Sequence, residues 1–179
     1  MDKINHFSKV PEDRTAVDNI LRVNHGNQMR LNLMADAKAN IMITVASVVF
    51  SVAIANLDNE LVKWPLLTFA FGCFFALLFA IFAIIPKTDY PKDITGDIDR
   101  KSPLFNPLFF GHFAHLPIEE YKEDYAETLM TDDSVYDAMA GDIYGQGKVL
   151  ALRKYKFLKW SYMSFLLGMI SAIIVFVLQ

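Results

Sequence analysis

Three stretches of this chain carry no charged side chain and are almost wholly apolar: Ile41 to Leu57, Pro65 to Ile85 and Trp160 to Leu178. Each approaches the roughly 20 residues with which an α-helix crosses a hydrocarbon core of about 30 Å. Backbone N–H and C=O groups find no water there, so a spanning segment must satisfy them internally. The runs are continuous rather than alternating, which predicts helices. Composition agrees, since 54% hydrophobic against 21% charged residues is more apolar side chain than one soluble core of 179 residues uses. The expected fold is a mainly α membrane protein. It has three transmembrane helices, a small α-rich cytoplasmic domain, and long helices continuing from the first and third spans.

The expected segments are an N-terminal helix in 1–40, a first span in 41–57, an external turn in 58–63, a second span in 64–85, a cytoplasmic sensing domain in 86–159 and a third span in 160–178. The first forty residues are polar and charged, so no cleavable signal peptide is expected and the first span serves as its own anchor. A disulfide scaffold is excluded because the single cysteine, Cys73, falls within a span. Nucleic-acid binding is disfavoured, because Lys+Arg 17 against Asp+Glu 20 leaves a net charge of -3 with no basic tract.

Orientation follows from Lys and Arg, which accumulate on the cytoplasmic side. Residues 1–40 carry six (Lys3, Lys9, Arg14, Arg22, Arg30, Lys38), 58–63 carry one (Lys63), 86–159 carry ten, and the C-terminal tail carries none. The N-terminus and the middle segment are therefore expected in the cytoplasm and the C-terminus on the far side, with no domain there. Arg153, Lys154, Lys156 and Lys159 precede the third span, where anionic headgroups would attract each by about 1 kcal/mol. Trp64 and Trp160 mark two interfaces.

No proline lies between Pro11 and Pro65, so the first span reads as the second half of one helix that begins near Thr15, with Gly26 its weak point. Pro65 suits the first turn of the second span and Pro86 ends it. Five of the seven prolines fall in 86–117, which predicts looped backbone, with Leu108 to Phe113 as a short strand in a minor strand pair. Pro117-Ile-Glu-Glu opens a helix to about Met130. Thr131 or Asp132 caps another, which continues through Gly141, Gly145 and Gly147 into the third span.

Several chemical motifs fail on inspection. Gly141 to Val149 superficially resembles a phosphate loop, but the required first glycine falls on Asp142 and the closing Ser/Thr on Val149. Its three glycines read instead as places for close helix approach or a kink. His6, His25, His112 and His115 form no His-Glu-x-x-His motif, so a metal hydrolase lacks its ligands. Asp132, Asp133, Asp137 and Asp142 read as a solvated helix face. An intramembrane enzyme built on Asp36 would lack a second carboxylate or a serine–histidine pair, so no catalytic residue is expected.

The first span carries the most informative feature. At about 100° per residue, Asn32, Asp36, Asn40, Thr44, Ser47 and Ser51 share an arc of about 120°. A carboxylate at the bilayer centre costs about 2.5–3.5 kcal/mol, so this face should meet other helices or water. Its polar groups read first as glue between packed helices and alternatively as a self-association face that lines a pore when copies cluster; Ile43 and Ile54 in the same arc count against a continuously wet face, and packing between copies would serve both.

Four segments carry a resemblance: Leu31-Asn-Leu-Met-Ala-Asp36-Ala-Lys38-Ala-Asn40-Ile, Phe109-Phe-Gly-His112-Phe, Glu119-Glu-Tyr, and Asp142-Ile-Tyr-Gly-Gln-Gly147-Lys148-Val-Leu. Their order and placement about the spans resemble the transmembrane effectors of Pycsar, the pyrimidine-cyclase antiphage defence system of bacteria. The match runs from about His25 to the end. Some relatives add a phosphohydrolase domain of the His-Asp type, which this chain lacks.

The resemblance implies an inner-membrane homo-oligomer, not an enzyme and without cofactor. It would bind 3',5'-cyclic CMP or 3',5'-cyclic UMP made by a neighbouring pyrimidine cyclase, then impair membrane integrity and cause abortive infection. A cyclic nucleotide asks for cations or N–H groups at its phosphate and an aromatic face for its base. Arg30, His112, Lys148 and Arg153 are candidates for the first, Phe110 and Tyr144 for the second. The alternative is a membrane scaffold that recruits a partner protein through the tyrosine-rich segment from Tyr121 to Tyr155.

Overall fold

The structure, a computed structural model, describes residues 15–86, 91–92, 96–102 and 104–179. Its elements in chain order are α1 (Thr15–Ala55), α2 (Lys63–Ile84), α3 (Phe110–Phe113), α4 (Ile118–Thr128), α5 (Asp132–Val149), a π turn (Leu150–Lys154) and α6 (Tyr155–Leu178). Three helices are long and apolar enough to cross a membrane: α1, α2 and the run from α5 to α6. The protein is thus a mainly α membrane protein, with the first and third spans continuing long helices as expected. The chain divides into two compact units, one of residues 1–29 with 86–147, the other of 30–85 with 148–179. Of the first, residues 1–14, 87–90, 93–95 and 103 lie outside the described structure.

In the membrane unit the usual size rule of a soluble core is reversed, with small residues inside and large ones outside. Buried positions include Ala39, Ala46, Ala53, Cys73, Ala76 and Ala80, whereas Phe71, Phe74, Ile170 and Ile173 are exposed. Lipid is as apolar as leucine, so helices associate by close packing instead of by hiding large side chains. Met42 and Ala46 of α1 cluster with Cys73, Ala76 and Ala80 of α2, and Ala39 clusters with Ala83 and Leu158. These pairings make α1 and α2 antiparallel and run α6 back alongside α2. A methyl added at Gly72 would stand 2.5 Å from the Gly168 Cα, so the α2 and α6 backbones all but touch there. Ser161 seals the same seam, its hydroxyl donating to the Ala76 carbonyl at 2.6 Å.

The other unit is built differently. Arg100 lays its guanidinium on α4, with Nε and an Nη donating to the two oxygens of Asp124 at 2.9 and 2.7 Å and the other Nη donating to Glu120 at 3.1 Å. That fork ties the proline-rich loop to the helix. Pro117 and the carboxylates Glu119 and Glu120 open α4, as its first turn requires. Thr131 caps α5: its hydroxyl accepts the Ser134 N–H at 3.2 Å while the Ser134 hydroxyl accepts the Thr131 N–H at 3.3 Å. This is a reciprocal capping box.

One expectation about the secondary structure is corrected. Leu108 to Phe113 is not a strand: Phe109 is extended, but Phe110–Phe113 turns helical. The cause is local, because the Asn106 N–H donates to the His112 Nδ1 at 3.0 Å and draws the chain back on itself. No strand pair replaces it; the described residues hold a single bridge, between Lys92 and Ile98.

Candidate functional site

The polar groups that could respond to a signal lie along α1, in each unit separately. In the first unit the Tyr136 hydroxyl donates to Asp18 at 2.8 Å. His25 Nε2 stands 3.2 Å from Asp142 Oδ2, and the Gln146 amide donates to the same oxygen at 2.7 Å. Gln28 follows on α1, its amide beside Gly147. Pairing therefore advances in the same direction on both helices, and α1 and α5 run parallel. Asp142 and Gln146 are four residues apart, which stacks them on one face of α5.

Asp142 is only 6% exposed. Burial raises its carboxyl pKa above the ordinary value, and the His25 ring and Gln146 amide act in the opposite direction. Asp142 thus departs from the expected solvated face. The Oε1 of Gln28 is enclosed and has no hydrogen-bond partner. An acceptor in that condition is uncommon in a folded protein. The cluster is a set of convergent amide, imidazole and carboxylate groups with one acceptor left over.

In the membrane unit, Lys154 Nζ donates to both oxygens of Asp36, at 2.7 and 2.9 Å. The π turn carries Lys154: the Tyr155 N–H reaches back five residues to the Leu150 carbonyl. Such wide turns are rare and recur at functional positions. The polar arc of α1 divides in this setting. Asn32, Asp36 and Ser47 are half-buried, and Asn40, Thr44 and Ser51 are exposed. Thr44 donates its hydroxyl back to the Asn40 carbonyl of its own helix at 3.0 Å.

The residues expected to hold a nucleotide are distributed over both units. Phe110, His112 and Tyr144 belong to the first, Arg30, Lys148 and Arg153 to the second. His112 is half-buried, stacked on Phe105 at 5.8 Å and edge-on to Phe109 at 4.9 Å. Burial lowers its pKa, and Nδ1 is already engaged by the Asn106 amide. In this position it fixes the loop. Phe110 and Tyr144 are exposed, 56% and 71%. Arg30 is exposed and Arg153 half-buried.

Sequence reasoning did not foresee the pairing of His25 and Gln146 with Asp142, of Lys154 with Asp36, or the enclosure of Gln28. Only the spacing Asp142-x3-Gln146 signalled part of this cluster; its partners lie more than a hundred residues away. Among the described residues no group of three His, Cys, Asp or Glu is placed to hold a metal. A family model described as the Pycsar effector protein domain matches residues 19–179. No match was found among curated proteins or among solved structures.

Proposed function

Because the chain belongs to the Pycsar effector family, an antiphage effector group with the role of effector and not of cyclase, we propose that it binds 3',5'-cyclic CMP or 3',5'-cyclic UMP in the cytoplasm and responds by impairing the inner membrane. The N-terminus and the unit formed by 1–29 with 86–147 face the cytoplasm in this reading, and the C-terminus faces the periplasm. The nucleotide comes from a neighbouring pyrimidine cyclase, and copies of the chain assemble. The outcome is abortive infection, without catalysis.

The observation that carries the reading is the chemistry of the α1–α5 contact. Among the described residues, Tyr136 and Pro107 are the buried apolar side chains of the first unit. Its two long helices meet through Asp18–Tyr136, His25–Asp142–Gln146 and Gln28 instead. Exchanging one hydrogen bond for another changes free energy by only about 0.5–1.5 kcal/mol, so a ligand rich in amide and carbonyl groups can compete for these contacts. A pyrimidine edge is such a ligand. Both helices run on as membrane spans, so a ligand that prefers one arrangement of α1 on α5 shifts the population of the spans that follow.

Dye release from liposomes containing the purified protein tests this, with cyclic CMP, cyclic UMP, cyclic AMP and no nucleotide in parallel. Release with one cyclic pyrimidine alone is the expected result. No release with any nucleotide, despite correct insertion, overturns the reading in favour of a scaffold that recruits a partner.

A further inference from the structure

α1 carries a strict seven-residue repeat with two faces, of which the chain itself uses one. The used face runs through Asp18, His25, Gln28, Ala35, Ala39, Met42, Ala46 and Ala53, which contact α5 or are buried in the membrane unit. On the outer side, one column of the repeat is Ile20, Asn27, Met34, Ile41 and Val48. The adjacent column, three residues on, is Val23, Arg30, Ala37, Thr44 and Ser51. All ten positions are exposed, and the large apolar ones strongly so: Ile20 66%, Val23 58%, Met34 50%, Ile41 61% and Val48 58%. A repeat of seven against 3.6 residues per turn drifts by about 20° per heptad, which a left-handed supercoil with a partner helix absorbs.

We infer that this outer face of α1 is a parallel coiled-coil seam against α1 of a second copy of the chain. Lipid can cover Ile41 and Val48, but Ile20 and Val23 precede the membrane and face water. A soluble partner could cover the latter and not the former. One stripe that crosses the boundary is covered along its length only by another helix that crosses with it. Copies inserted in the same orientation present α1 in parallel, which brings Asn27 opposite Asn27. A single asparagine among apolar residues of that column specifies register in parallel coiled coils. The flanking positions Asn19, Asn24, Gly26, Leu31, Leu33 and Asn40 are uncharged, and of this flank only Lys38 is charged, so few like charges oppose one another across the seam. Arg30 is the one charged seam residue; its stem can cover apolar surface while the guanidinium lies outside. Within the membrane the seam gathers Asn40, Thr44, Ser47 and Ser51 along one side, giving the polar arc a partner of its own kind.

The inference rests on the effector reading only in that all copies insert the same way. Single cysteines at Ile20, Asn27 and Met34, each in a Cys73→Ala background, are compared with Arg22→Cys, which is exposed on another face of α1. Membranes holding the full chain are oxidised with copper phenanthroline, with and without cyclic pyrimidine, and run on non-reducing gels. Disulfide-linked dimer several-fold above the Arg22→Cys level at all three positions, unchanged when expression is lowered, is expected. Equal linkage at every position, or none at the seam positions, overturns the seam. A protein that cross-links at the seam but releases no dye with any nucleotide keeps the seam and loses the nucleotide reading.

Discussion

A methyl group is too large at Gly72 and at Gly168 in the membrane unit. A Cβ at Gly72 would lie 2.5 Å from the Gly168 Cα and 3.1 Å from the Ser164 carbonyl oxygen, both backbone atoms that a rotamer change cannot move. Gly72→Ala therefore forces α2 and α6 apart, an overpacking that costs typically about 1–3 kcal/mol. Gly26 is the contrast, since a Cβ there meets nothing within 4 Å. Gly26→Ala in the middle of α1 should instead stabilise by about 0.5–1 kcal/mol. Denaturation of the detergent-solubilised protein by rising dodecyl sulfate checks both signs, and a Gly72→Ala midpoint equal to that of the parent would mean that the two backbones do not meet as described.

At the scale of the element, α1 holds two different kinds of contact along one rod. Its inner face uses small residues in the membrane unit and polar residues in the other, and its polar arc is only partly satisfied by the chain itself. Thr44 bonds to its own helix, whereas Asn40 presents an exposed amide at the membrane boundary. Hydrogen bonds between such side chains in membranes contribute about 0.6 kcal/mol apiece on average, so no single one dominates and paired replacements are informative. Asn40→Leu combined with Ser47→Leu should abolish killing of cells on induction, while the amount of protein in the membrane fraction stays the same. Undiminished toxicity would remove this face from the mechanism. Both substitutions favour insertion, because leucine is favoured in hydrocarbon, so lost toxicity would not reflect failed insertion.

For the molecule as a whole, the prediction is its orientation. The basic residues Arg30, Lys38, Lys148, Arg153, Lys154, Lys156 and Lys159 border the spans at one end, while the turn between α1 and α2 carries Lys63 beside Asp58 and Glu60. From that asymmetry we predict the turn on the outside and the unit of 1–29 with 86–147 on the inside. Alkaline phosphatase fused after Gln179 should be active, and the same reporter inserted within 86–107 should be inactive. The reverse pattern would expose the unit proposed to bind the nucleotide to the periplasm, away from any nucleotide made in the cell.

Much of the fold was legible in the sequence because its determinants are local. Uncharged runs specify spans, the proline-free stretch from Thr15 specifies one long helix, Pro117 and Thr131 start two more, and short ordered motifs carry the family. The small strand expected at Leu108 to Phe113 failed because a strand needs a neighbouring edge, and the Asn106–His112 bond closes a turn there instead. The candidate site was less legible for a related reason. Lys154 finds Asp36, and Tyr136 finds Asp18, across 118 residues each; Gly72 and Gly168 touch only when two helices cross at that height. Periodicity says which face of a helix differs from the others. Which partner that face meets is decided by how the helices pack, where close approach of small residues and the pairing of buried polar groups must be satisfied together.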